Sequence, residues 1–104
     1  MERVAFTMRL LPGAAAEYRE RHAHVWPEML AALKGGGVSN YSIFQLDDRL
    51  IGTFDVEDFD RFRAHMAGLE VNDRWQADMT RLIDSCTDPD TGFHRRLDEV
   101  FRLE

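Results

Sequence analysis

The sequence predicts an α+β fold with the element order β-α-β-β-α-β. Short runs of period-two alternation mark the strands, and apolar stripes at helical spacing mark the helices between them. Pro and Gly residues punctuate the joins. The whole chain, residues 1–104, reads as one domain.

The first strand runs from Arg3 to Leu11, where Val4, Phe6, Met8 and Leu10 alternate with Ala5, Thr7 and Arg9. Pro12-Gly13 ends it. A helical region follows from Ala14 to Lys34, with Tyr18, His22, Val25, Met29 and Leu33 on one stripe. Pro27 interrupts that region. It lacks an N–H, its ring clashes with the carbonyl of Ala23, and it disfavours helical geometry at Trp26. A break near Trp26 is expected, with Pro27 opening a second helical piece. Gly35-Gly36-Gly37 stops that piece.

Asn40–Leu46 and Leu50–Val56 read as the second and third strands, joined by the hairpin-length Asp47-Asp48-Arg49. In the second strand Tyr41, Ile43 and Gln45 share one face, and Ser42, Phe44 and Leu46 share the other. Both faces carry large groups, so neither looks fully solvated. Asp58–Ala67 reads as helix, with Phe59, Phe62 and Met66 as its buried stripe. After Gly68, Val71, Trp75, Met79 and Leu82 form the stripe of another helix, with Asn72 or Asp73 near its start. Cys86–Gly92 is a polar loop, and Leu97, Glu99, Phe101 and Leu103 alternate as a last strand.

This is the ferredoxin-like order: an antiparallel sheet with helices on one face. The other face needs cover, and pairing two such sheets supplies it. A homodimer closed around facing sheets is therefore expected.

Composition narrows the function. The chain is 44% hydrophobic and 31% charged, as in ordinary globular proteins. Its formal charge of −6, from 13 basic and 19 acidic side chains, argues against a nucleic-acid or anionic-membrane surface. A single cysteine, Cys86, excludes an intrachain disulfide. Met1–Pro12 lacks a signal-like apolar run, and no stretch could span a membrane. A cytoplasmic protein is expected. There is no HExxH or paired-cysteine motif, so no metal site is expected.

The segment Tyr18–Glu28 gathers the chemistry. Tyr18 and His22 are four residues apart and share a helix face, with Trp26 close behind. His22 titrates near neutrality and could move a proton, or it could be a hydrogen-bonded histidine at a helix edge. Tyr18 and Tyr41 could bind sugar-like hydroxyls and C–H faces, or pack as core tyrosines. Trp26 and Trp75 suit a sugar face or the core. Glu99 falls among apolar neighbours, where a carboxylate is paired, at an exposed edge, or functional. Glu28 and Asp73 suit helix starts. His24, His65 and His94 have no patterned partner and read as surface residues.

Taken together, these residues resemble the L-rhamnose mutarotase family over nearly the whole chain. The resemblance lies in the Arg3 strand ending at Met8, Glu17-Tyr18-Arg19, Arg21-His22, Trp26-Pro27-Glu28, Asn40-Tyr41, Arg74-Trp75 and Glu99-Val100-Phe101. It implies a dimeric α+β barrel that interconverts the α and β anomers of a deoxy-sugar without cofactor or metal. By that resemblance His22 matches the proton donor, and Tyr18, Tyr41 and Trp75 match sugar-contacting positions. Where the family often has two consecutive tryptophans, Trp75 is followed here by Gln76. An amide in place of an indole adds hydrogen-bonding capacity and removes apolar area. That makes L-fucose or a related sugar an alternative to L-rhamnose. Glu99 is a candidate general base. A cofactor-free monooxygenase on this fold and a non-catalytic sugar-binding module are the rival readings.

Overall fold

The computed structural model describes all 104 residues. In chain order the elements are β1 (Glu2–Leu10), α1 (Ala15–Ala23), α2 (Pro27–Gly35), β2 (Val38–Leu46), β3 (Arg49–Val56), α3 (Phe59–Ala67), α4 (Glu70–Thr80) and β4 (Ile83–Asp84). The strands form one antiparallel sheet in the order β2-β3-β1-β4, which is the ferredoxin-like arrangement.

The expected break in the first helical region falls at His24–Trp26. Trp26 is extended (φ −57°, ψ 135°), and Pro27 takes the first helical position, where a missing N–H leaves no bond unmade. The interruption lets Trp26 leave the α1 path and meet Trp75 of α4, ring centroids 5.1 Å apart and nearly perpendicular. Asp58 caps α3 by accepting from the Arg61 N–H at 3.1 Å.

The register places one set of residues under the helices. Val4 lies opposite Phe54, Phe6 opposite Gly52, and Met8 opposite Leu50. Val4, Phe6 and Val56 are completely enclosed. Gly52 is required by Phe6, because a Cβ there would lie 2.3 Å from the ring's Cζ. In β2 the register shifts between Ser39 and Ser42, where Asn40 takes a positive φ of 53°. That bulge inserts one residue and reverses the alternation beyond it. Tyr41, Ile43 and Gln45 thereby follow Val38 onto the helix-covered face.

The last strand corrects the sequence reading. The fourth strand position is held by Ile83–Asp84, paired with Leu10 and Arg9, and not by Leu97–Leu103. Residues 85–94 then form a small hairpin, closed by a bridge between Thr87 and His94, that packs back on Phe6 through Phe93 and His94. The chain returns to the β1 edge only briefly. Thr7 N–H donates to Arg95 O at 3.0 Å, and Leu97 N–H to Ala5 O at 2.8 Å. Beyond Leu97 there is no regular structure. Alternation shows that a segment could pair, but it does not supply the neighbouring strand.

The other face of the sheet carries Phe44 and Leu46, both exposed, on the outer positions of β2. Val100, Phe101 and Leu103 of the tail are exposed as well. No helix is long and apolar enough to cross a membrane.

Candidate active site

A cavity of about 1590 Å³ opens between the covered sheet face and the helices. Tyr18, His22, Tyr41, Trp75 and Gln76 all line it. Glu99 does not; it stands on the exposed tail, where Arg102 holds it at 2.6 Å and 2.8 Å.

α1 supplies the central pair. The rings of Tyr18 and His22 lie 4.1 Å apart at an angle of 31°. His22 Nδ1 is 2.9 Å from the Tyr18 carbonyl. A carbonyl only accepts, so Nδ1 carries the hydrogen and Nε2 is left with its lone pair when the ring is neutral. Every buried side-chain nitrogen and oxygen has a hydrogen-bond partner. Nε2 has none, so it is accessible, on a side chain that lines the cavity. Burial lowers the pKa of His22 below its ordinary 6.5, partly opposed by the Tyr18 carbonyl.

α4 closes the other side. Trp75 meets His22 edge-on at 5.4 Å and is itself buried. Gln76 projects beside it, exposed, and donates to Asn72 Oδ1 at 3.2 Å. An ion-pair network holds α4 against α1: Asp78 accepts from Arg21 at 2.5 Å and Arg81 at 2.6 Å, and Glu17 accepts from Arg81 at 3.1 Å.

The sheet supplies the floor. Tyr41 packs on Phe54 at 5.1 Å and meets the edge of Phe6 at 6.2 Å. Burial pushes the Tyr18 phenol up to about 12. The Tyr41 phenol is also pushed up, chiefly by loss of hydration although the residue is 38% exposed, and ionisation of Tyr18 would add to it. Both therefore stay protonated near neutrality and can donate as well as accept. At the cavity edge Arg19 donates to Gln45 at 2.9 Å, tying α1 to β2.

Two histidines read as surface residues are not on the surface. His65 is half-buried, with Nε2 bonded to the Ala32 carbonyl at 3.2 Å under the end of α2. His94 is half-buried, lines the same cavity as His22, and stacks on Phe6. Neither follows from local spacing, because their neighbours come from remote segments. His24 is exposed beside Glu20. No three His, Cys, Asp or Glu side chains gather into a cluster that could hold a metal ion.

Fold and cavity together define a small α+β protein with an aromatic-lined pocket, holding the His22 imidazole, between sheet and helices. The family model described as L-rhamnose mutarotase matches residues 3–103, and the chain belongs to that family. An L-rhamnose mutarotase of Burkholderia orbicola (strain MC0-3) is 42% identical over 107 residues, covering 100% of both chains. One from Oceanobacillus iheyensis is 35% identical over 106 residues, again covering 100% of both. Among solved structures, an L-rhamnose mutarotase from Formosa agariphila superposes with a TM-score of 0.80 at 34% identity, covering 100% of both chains. Tetracenomycin F2 cyclase from Streptomyces glaucescens superposes with a TM-score of 0.62 at 17% identity, covering 100% of this chain and 98% of its own, a likeness of fold.

Proposed function

We propose that this protein is a mutarotase that interconverts the α and β anomers of L-rhamnose by acid/base ring opening and reclosure. The observation that carries the reading is the Tyr18–His22 pair, with His22 Nε2 bare toward a cavity that Tyr41 and Trp75 also line. Trp75 and the apolar wall offer area to the C–H faces and methyl group of a deoxy-sugar. The phenols of Tyr18 and Tyr41 offer hydrogen bonds to its hydroxyls.

His22, as the imidazolium, gives its Nε2 proton to the ring oxygen. The C1–O bond pair moves to that oxygen, while the anomeric hydroxyl loses its proton to a base and becomes the aldehyde. Rotation about C1–C2 presents the other carbonyl face, and the reverse steps close the ring. A positioned acid contributes about 10²–10⁴-fold. Saturation-transfer NMR over a panel of free sugars tests this reading. Enzyme-dependent exchange is expected for L-rhamnose, and its absence for every sugar would leave a binding module.

L-Fucose is the second reading of the substrate. The amide of Gln76 beside Trp75, at the cavity wall, favours a differently disposed hydroxyl. A homodimer, as in a dimeric α+β barrel, is supported by the exposed Phe44 and Leu46 on the uncovered sheet face and by the apolar tail. Burying such residues in water-free contact is favourable by about 25 cal/mol per Å². Light scattering at micromolar concentration is expected to give a dimer mass. A cytoplasmic setting is part of the same reading and is consistent with the lone free thiol, Cys86.

A further inference from the structure

The mutarotase reading leaves one proton without a carrier. Ring oxygen and anomeric hydroxyl are both borne by C1, so an acid and a base must reach one carbon from two sides. His22 comes from the helical roof. The hairpin 85–94 brings a second imidazole, that of His94, to the same cavity.

His94 lies almost flat on Phe6, ring centroids 4.9 Å apart at 16°. Phe93 closes on its edge at 5.0 Å. Its Nδ1 is 3.2 Å from the Ser85 carbonyl, so Nδ1 carries the hydrogen. No buried side-chain nitrogen lacks a partner, so its unbonded Nε2 also reaches open space. The wiring repeats that of His22: one nitrogen fixed to a backbone carbonyl, the other bare. Phe6 in turn meets Tyr41, so the floor is a continuous aromatic surface from His94 to Tyr41. Glu99, the carboxylate suggested by sequence, is outside the cavity and occupied by Arg102.

We infer that His94 is the general base of this site, taking the anomeric proton at Nε2 and returning it on reclosure, while His22 serves the ring oxygen. The inference rests on the mutarotase reading. The balance closes without a further reactant. On opening, His22 becomes neutral, His94 becomes the imidazolium, and the O–H bond pair forms the carbonyl π bond. On reclosure the C5 hydroxyl returns its proton to His22, and His94 returns its own to the new anomeric oxygen. Burial lowers the His94 pKa below 6.5, against the Ser85 carbonyl, the same direction as for His22. The charged groups at that end are Asp60 and Arg63 of α3, Asp84 of β4, and Arg96, whose guanidinium lies over Phe59.

The experiment compares wild type with His94→Phe, which keeps a ring to stack on Phe6, and His94→Gln, using L-rhamnose and saturation-transfer NMR from pH 5.5 to 8. Wild type is expected to show a bell-shaped profile with its optimum below pH 6.5, because it needs His22 charged and His94 neutral and both pKa values lie below 6.5. Both variants are expected to lose about 100-fold in kcat with little change in KM, and to lose the acidic limb of the bell. A folded His94→Phe enzyme with wild-type rate, or with a reduced rate on an unchanged profile, overturns the inference. Should the variants fail to fold, the wild-type His94 Cε1–H resonance decides. It is expected to shift with L-rhamnose and not with its 1,5-anhydro analogue, which lacks the anomeric hydroxyl. An equal response to the two sugars, or none, overturns the role. Absence of exchange in the wild type would instead remove the mutarotase reading itself.

Discussion

Tyr18 touches His22 twice: its ring lies 4.1 Å from the imidazole, and its carbonyl fixes Nδ1 at 2.9 Å. One residue thus sets both the tautomer and the orientation of the imidazole. The helix makes this possible, because the carbonyl of a residue faces the side chain one turn on.

Replacing His22 by Ala is expected to keep the fold and lower anomer exchange by about 10²–10⁴-fold. Tyr18→Phe keeps the carbonyl and the ring but removes the hydroxyl. It is expected to cost about tenfold, the worth of one neutral hydrogen bond. As an acid with a pKa below 6.5, His22 is more often charged as the pH falls from 8 toward 6.5, so exchange should rise over that range. Exchange that falls over the same range would make His22 the base.

Gln76→Trp is expected to raise the ratio of L-rhamnose to L-fucose exchange by about tenfold or more, since it replaces an amide with apolar area at the cavity wall. An unchanged ratio in saturation-transfer measurements would show that position 76 does not select the sugar.

Gly52→Ala puts a methyl group 2.3 Å from the Phe6 ring, and Phe6 is completely enclosed and cannot swing away. Overpacking of this kind costs about 1–3 kcal/mol. Calorimetry should show a melting point lower by roughly 4–8 °C for each kcal/mol. A wild-type melting point would mean that β1 and β3 separate easily.

The half-buried histidines His22 and His94 make stability pH-dependent. Both have folded pKa values below 6.5, and in the unfolded chain both return to about 6.5. Between those values the unfolded state binds more protons, so stability rises with pH there and is lost as pH falls. The melting point is expected to be level above about pH 7.5 and to decline below 6.5. The double variant His22→Gln/His94→Gln should flatten that decline. Asp55, held low by its bond from Asn40, and Glu99, held low by Arg102, act only in a more acid window. A wild-type melting point unchanged between pH 7.5 and 5.5 would contradict the two histidine shifts.

Local patterns decided most of the secondary structure. Alternation located β1, β2 and β3, the helical stripes located α1 to α4, and Pro27 placed the break at Trp26, because each of these depends on neighbours in sequence. The spacing of Tyr18 and His22 likewise announced a facing pair. Sequence alone also showed that β2 had two candidate inner faces, but not which one was used. The bulge at Asn40 chose, and only pairing with β3 reveals it.

The fourth strand and His94 were decided by tertiary structure. Leu97–Leu103 alternates like a strand, yet β1 takes its edge partner from Ile83–Asp84 and from the brief return at residues 95–97. A lone histidine in a polar loop has no period to mark it. It entered the cavity because the 85–94 hairpin folds back on Phe6, a contact between residues 88 positions apart. Periodicity reports the conformation of a segment, whereas the meeting of two remote segments is a property of the packed sheet.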